Sequence, residues 1–365
     1  MQPAASSTPT PDALAERVLA AITEMGDVYS IYLGDRLGYY HALAGGDSVT
    51  SADLADRTGT AERYAREWLE QQAVTGILEV ADDGAGDPAR RTFRLPPGHA
   101  EALTMSESLA MIAPWARIMA GCGLALPAVV EAFRTGNGVP YEAYGADVRE
   151  GIADGNRPMF ARLLGSEWIP AMPEIHMRLE ASPPAKVADV GCGSGWSSIA
   201  MARAYPAARI DGFDLDEASV NDARRNAAAA GVEDRVAFHL RDAGDPELAG
   251  AYDLACAFEC IHDMADPVAA LRTMRRLVGT GGTALIADER AAETFSAPGD
   301  QTERLLYAIS LLHCLPVGMV DQPSRQTGAV IRPETMRRYC EEAGFASVEI
   351  LPVDNDFWRF YRLTA

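Results

Sequence analysis

The 365-residue sequence predicts a mainly helical N-terminal domain followed by an α/β domain built on a mostly parallel, seven-stranded sheet. Three observations carry that expectation. From Lys186 onward, short apolar runs alternate with helical segments, the pattern of strands joined by crossover helices. One strand-to-helix junction, Asp189-Val190-Gly191-Cys192-Gly193-Ser194-Gly195-Trp196, carries glycine at three alternate positions. Ahead of both, the chain between Asp12 and Gly98 reads as helix, turn, helix and hairpin.

Bulk composition sets the bounds. At 365 residues and 48% hydrophobic, the chain can bury a large core and is long for one domain. Its formal charge is −20, from 52 acids and 32 bases, which repels phosphate backbones and anionic membranes. Lys186 is the only lysine, a mark of codon bias rather than function. The six cysteines form no C-x-x-C, and no histidine sits at metal spacing from a pair, so free thiols and no metal are expected. Residues 1–11 are small, polar and uncharged, which predicts a disordered tail rather than a signal peptide. No run approaches membrane-spanning length, and the expected location is the cytoplasm.

Residues 12–100 form the first expected domain. Leu14, Val18 and Ile22 recur at helical spacing, and Tyr32 to Gly38 follows as an apolar segment with glycine breaks. Thr50 or Ser51 caps a short helix, Ala52 to Arg57, and a longer helix runs from Ala61 to about Thr75. Gly76 to Val80 and Arg91 to Leu95, around a Gly/Asp turn, make a hairpin. This is a winged-helix pattern. Between Met1 and Ala100 stand 15 acids and 8 bases, a net of −7, so dimerisation or substrate lining suits it better than DNA reading.

Residues 101–180 read as a helical connector, with Met105, Met111, Trp115 and Met119 as core or as a pocket wall. Residues 181–365 hold the sheet. Its strands are expected at Lys186–Val190, Arg209–Phe213, Val236–Leu240, Tyr252–Phe258 and Thr283–Ala287, with a closing hairpin at Ser347–Leu351 and Phe357–Tyr361. A long insertion, 291–332, carries an amphipathic helix from Thr302 to Leu315 and reads as a substrate lid.

Ligands of open α/β sheets bind beyond the carboxyl ends of the strands. The spacing here is G-x-G-x-G rather than the dinucleotide G-x-G-x-x-G, which points to S-adenosylmethionine (SAM). Asp189, Gly191, Cys192, Gly193 and Gly195 form the turn that approaches the methionine portion and ribose. Asp214, followed by Leu215, ends the second strand and can accept from both ribose hydroxyls. Asp242-Ala243 ends the third and can accept from the adenine amine. Phe258-Glu259 ends the fourth, beside the methionine amino group. The conjunction at four strand ends is the signal; a lone glycine motif is weak.

Asp189 to Gly195, Gly212 to Leu215, Asp242-Ala243 and Gly281-Gly282 resemble the successive motifs of SAM-dependent methyltransferases with the Rossmann-like sheet. Cys260-Ile261-His262-Asp263-Met264-Ala265-Asp266 is similar to the His-Asp-Trp-x-Asp segment of small-molecule O-methyltransferases, which carry an N-terminal winged-helix dimerisation domain. Leu33 to Gly38 and Leu312 to Pro316 resemble the bacterial branch of that family. Met264 departs from the plant pattern, so the plant substrate pocket is not carried over.

The resemblance implies a homodimer, no metal, and S-adenosyl-L-homocysteine (SAH) as product. It places His262 as general base for a small aromatic or heteroaromatic acceptor, methylated on oxygen or on carbon or nitrogen of an indole-like ring. Glu289, after the fifth strand, is expected to orient that imidazole. Asp263 and Asp266 are expected to cap the next helix. His313 on the lid is the reserve base and Tyr307 a substrate contact. The competing expectation is a winged-helix DNA-binding regulator that senses SAM or a metabolite. A SAM-fold enzyme with another reaction and a macromolecular methyltransferase are the further alternatives.

Overall fold

The computed structural model describes residues 10–365, so most of the expected tail at 1–11 lies outside the described residues. The chain divides into two compact units at Ala120/Gly121.

The first unit starts with one long helix, α1 (Pro11–Arg36), capped by the Thr10 side chain. This corrects the expected short helices and glycine-broken segment: the helix runs through Gly26 and Gly34. Gly34 is there because a Cβ would strike the Trp68 ring and come within 2.6 Å of Tyr40 Cε2. Gly38 then turns left-handed at φ 69° before α2 (Tyr39–Leu43). Asp35 pairs with Arg117 Nε at 2.9 Å in a nearly buried ion pair. The Leu33–Gly38 motif thus does structural work in this unit. Helix α3 (Ser51–Thr58) begins with a capping box between Thr50 and Asp53. After α4 (Glu62–Val74), strands β1 (Glu79–Asp82) and β2 (Thr92–Arg94) pair antiparallel as the wing. Tyr39, Tyr40, Leu54, Trp68, Leu69 and Phe93 form the core. Helices α5 (Pro97–Thr104) and α6 (Ala113–Thr135) follow.

Helix α6 also corrects an expectation. Its 23 residues are long and apolar enough to cross a membrane by length and composition, although 44% of the apolar window is buried within the fold.

In the second unit α7 (Gly145–Met159) leads into a wide-turned segment, Phe160–Trp168, and α8 (Pro173–Glu180). The sheet then alternates with helices: β3 (Lys186–Val190), α9 (Trp196–Ala204), β4 (Arg209–Asp214), α10 (Glu217–Ala230), β5 (Val236–Leu240), β6 (Leu254–Phe258), α11 (Pro267–Val278) and β7 (Thr283–Glu289). Helices α12 (Gln301–Ile309), α13 (Leu315–Gly318) and α14 (Pro333–Ala343) precede the closing strands β8 (Ser347–Ile350) and β9 (Trp358–Thr364).

All seven expected strands form one sheet, ordered β5-β4-β3-β6-β7-β9-β8. The first five are parallel, and β9 lies antiparallel between β7 and β8. Side chains alternate across it. Val187, Ile210 and Phe258 pack on one face with Phe160, Trp168 and Trp358. Ala188, Val190 and Ala257 pack on the other with Leu271, Met274 and Met336. Five parallel strands therefore deliver their carboxyl ends to one edge, where the predicted residues gather.

Candidate active site

The turn after β3 needs its glycines. Gly191, Gly193 and Gly195 sit at φ 67°, 51° and 81°, all left-handed. A Cβ on Gly195 would come within 2.6 Å of Phe238, and one on Gly191 within 2.7 Å of Cys260 Sγ. Gly193 faces open space, so only there can a ligand reach bare backbone. Most turn amides are already engaged. Gly191 and Cys192 donate to the Phe213 carbonyl at 2.8 and 3.1 Å, and Gly195 donates to Cys192 at 2.9 Å. Gly193 donates to Asp214 Oδ2 at 2.8 Å. On its open side the turn thus presents the Gly193 Cα, with the Gly193 amide held by Asp214.

Asp214 ends β4, and its Oδ1 accepts from the Asp216 amide at 2.8 Å. Burial raises its pKa, against the amides that lower it. Leu215 beside it is 67% exposed, an uncovered apolar surface that an aromatic ring could lie on. Asp242 accepts from Gly244 at 2.7 Å in an exposed loop next to half-buried Ala243. Asp189 is buried beneath the turn, where Oδ2 accepts from Ser197 and Ser198 at 2.6 Å each and ties α9 to β3. Its Oδ1 has no partner, and burial lifts its pKa to about 6. A carboxylate at a strand end, an open glycine and an apolar shelf are a donor set that fits adenosine carrying a sulfonium tail.

At the end of β6, Phe258 is buried and Glu259 adopts φ 51°, a conformation that costs energy in a non-glycine residue. The Glu259 carboxyl accepts from Asn156, and burial raises its pKa to about 7. Three residues on, His262 is 2% exposed. Its Nδ1 lies 2.5 Å from Asp288 Oδ1, and its Nε2 lies 3.0 Å from Asp263 Oδ1. Burial alone would lower its pKa, but Asp263 and Asp288 outweigh that and raise it well above the ordinary imidazole value. Asp263 is held down to about 2, where the imidazole beside it overcomes burial.

Two role assignments change. The carboxylate that orients His262 is Asp288, fully buried on β7, and not Glu289. Neighbours on a strand face opposite sides, so a one-residue error selects the wrong carboxylate. Glu289 is the last residue of β7, and burial with nearby Glu259 drives its pKa well up. Second, Asp266 alone caps α11, accepting from Ala269 at 3.1 Å, while Asp263 turns to the imidazole.

The insertion brings His313 and Cys314 to the same cluster through a wide-turned segment, Ser310–Cys314, that joins α12 to α13. Donor atoms of His262, Asp263 and Cys314 all lie within 4.8 Å of one another. His313 is 2% exposed, its Nε2 lacks a partner, and burial lowers its pKa. Tyr144 and Tyr141 stand edge-on to it at 4.7 and 5.7 Å. Tyr307 is not brought to His262 by any described contact; its hydroxyl accepts from Arg332 at 3.4 Å. Sequence reasoning did not single out Asp288, Asn156, Tyr141 or Tyr144, and it gave Cys314 only within the Leu312–Pro316 motif. Asp288 left a local signal as the acidic neighbour of Glu289.

Comparison with known proteins gives the family and the fold. A methyltransferase domain model matches residues 182–324, and an Rv2258c-like winged HTH domain model matches 28–105. A ubiquinone biosynthesis O-methyltransferase from Azotobacter vinelandii is 30% identical over 201 residues, 54% of this chain and 77% of that protein. The Aromatoleum aromaticum enzyme of the same name is 29% identical over 172 residues, 46% of this chain and 66% of that protein, so the match spans just under two thirds of its length. The solved structure of human N-acetylserotonin methyltransferase in complex with SAM shares the fold over 99% of both chains, at TM-score 0.68 and 17% identity.

Fold and site together define a SAM-using transferase of the class I type. The chain belongs to the SAM-dependent methyltransferases, in the group that sets a winged helix-turn-helix domain ahead of the catalytic one.

Proposed function

We propose that the chain transfers the methyl group of SAM to a small, largely apolar acceptor of secondary metabolism, aromatic or heteroaromatic, on oxygen or on carbon or nitrogen of an indole-like ring. SAM, when bound, supplies a methyl on a sulfonium that leaves as neutral SAH. The chain's task is to align the acceptor lone pair with that methyl and to remove the acceptor's proton.

One observation carries the reading: His262 is buried at the end of β6 with Nδ1 fixed on Asp288, two residues from Cys260, whose sulfur abuts Gly191 of the glycine turn. The proton site thus adjoins the cofactor turn. Donation of Nδ1–H to Asp288 leaves Nε2 as the basic nitrogen. Nε2 would take the acceptor's proton and hold it while the acceptor is methylated, with Asp288 stabilising the resulting imidazolium. Because the two carboxylates raise its basicity, His262 is a strong base whose neutral form grows with pH, so kcat/KM rises toward alkaline pH. Asp189, the Gly191–Gly195 turn with Cys192, Asp214, Leu215, Asp242, Ala243, Phe258 and Glu259 hold the cofactor. Tyr141 and Tyr144 with His313 support an aromatic-lined acceptor pocket covered by 291–332 and walled by the part of the connector that lies in the second unit.

A homodimer through the first unit is supported by α1, where Leu14, Val18, Ile22, Met25, Tyr29 and Leu33 form an exposed apolar row. The −7 balance of residues 1–100 favours that role over DNA binding. Cytoplasmic residence is part of the same reading. The test is methyl transfer from labelled SAM to a panel of phenols, hydroxylated heteroaromatics and indoles. His262→Ala should lose most turnover while SAH affinity stays near that of the parent. Equal loss of both would reduce His262 to a structural residue.

A further inference from the structure

We infer that the Tyr144 hydroxyl and His313 Nε2 form a polar subsite that holds a second, uncharged hydroxyl of the acceptor, next to the one that His262 deprotonates. This deepens the reading above and rests on it, because it takes the space beside His262 to be the acceptor's.

Three observations meet here. Both atoms are buried without a hydrogen-bond partner, on residues that are 0% and 2% exposed. Buried polar groups are nearly always paired, so two orphans on neighbouring rings mark a place that a bound group completes. Second, the two rings meet edge-on at 4.7 Å, yet hydroxyl and nitrogen do not bond each other. A group that bridges them breaks no hydrogen bond on arrival. Third, Asp263, which pairs with His262 Nε2 at 3.0 Å, acts electrostatically on both Tyr144 and His313. Base and subsite thus share one carboxylate as neighbour, so the second hydroxyl belongs close to the first, on the adjacent ring carbon.

The chain fixes the subsite in advance. Tyr144 closes the single turn Tyr141–Tyr144, and His313 belongs to the wide-turned segment Ser310–Cys314. The Val139 amide donates to the Pro316 carbonyl at 2.9 Å, and Gly138 lies so close to Val320 that a Cβ would strike its backbone. Turn and insertion are therefore joined beside the ring contact, and less ordering is left for the acceptor to bring about.

Charge selects the group that binds. Burial pushes the Tyr144 phenol up and the His313 imidazole down, so both are neutral at pH 7. Asp263, held down to about 2, repels an anionic group, and its own charge is engaged by His262. A hydroxyl both donates and accepts, so it pairs with Tyr144 and with either tautomer of His313; a ring C–H does neither. His313 is on this account a recognition group rather than a reserve base.

The experiment is calorimetric titration of the full-length, SAH-saturated protein with 2,3-dihydroxynaphthalene and, separately, with 2-naphthol. The parent should bind the diol about 30-fold more tightly, since 2-naphthol leaves both atoms unpaired. Tyr144→Phe, which keeps the ring contact, and His313→Leu should each lower that preference to about fivefold, and the double variant should bring it near one. His313→Gln, which restores a polar group, should keep more of it than His313→Leu. The preference is the readout because a merely structural change weakens both probes alike, and SAH affinity in each variant reports folding. No binding of the diol, no preference in the parent, or a preference that survives in both Tyr144→Phe and His313→Leu would overturn the proposal. Methylation of both probes at equal kcat/KM, with no binding preference, keeps the functional reading and sinks the subsite. A binding preference with no labelled methyl on any acceptor does the opposite.

Discussion

Asp189 is a carboxylate in a place that disfavours its charge. It is 1% exposed, two serine hydroxyls satisfy Oδ2, and Oδ1 has no partner. Burial holds its pKa at about 6, whereas in the unfolded chain it returns to about 3.9. Between those values the folded protein keeps a proton that the unfolded chain has released. Stability therefore falls as pH rises through that window, and the full penalty stands above it. Two units at 1.36 kcal/mol each give about 3 kcal/mol. Asp189→Asn keeps an oxygen for the serines, places an amide where Oδ1 was, and is neutral throughout. The variant should exceed the parent in stability by about 1.5 kcal/mol at pH 5 and about 3 kcal/mol at pH 8, read from urea denaturation of both proteins. The widening with pH is the diagnostic. Parallel stability curves, or a variant weaker at pH 8, would refute the reasoning. The same change removes negative charge beneath the turn, so affinity for cationic SAM should drop more than affinity for SAH.

Asp214→Ala should weaken SAH binding by about tenfold or more in calorimetry, since a carboxylate bonded to hydroxyls contributes about 1.5–3 kcal/mol. It should also lower the melting temperature, because the Gly193 and Asp216 amides lose their acceptor. Unchanged affinity would place the ribose elsewhere. Gly34→Ala gains about 1 kcal/mol of helix propensity but drives a methyl into Trp68 and Tyr40, which costs about 1–3 kcal/mol. A net loss in denaturant midpoint is expected; a gain would show that the rings move aside freely.

What the sequence disclosed follows from range. Strands β3 to β7 and the glycine turn were legible because apolar runs, helix stops and a three-glycine spacing are local signals. Helix α1 was misread because Gly34 looks like a break, and it is explained only by rings that fold onto it from Tyr40 and Trp68. The partner of His262 was missed by one residue on a strand, where parity decides the face. His313 and Cys314 were visible as residues, but their meeting with Asp263 depends on how the insertion folds back. Local pattern marks the strand ends; the cluster around His262 is set by long-range packing.

The central claim is that the carboxyl edge of the sheet, from the glycine turn to Asp214 and Glu259, is a SAM site. Calorimetric titration of the purified full-length protein with SAH tests it most directly. Saturable binding at one SAH per chain, weakened in Asp214→Ala and retained in His262→Ala, is the predicted result. An absence of binding heat and of any thermal stabilisation by SAH or SAM would contradict it.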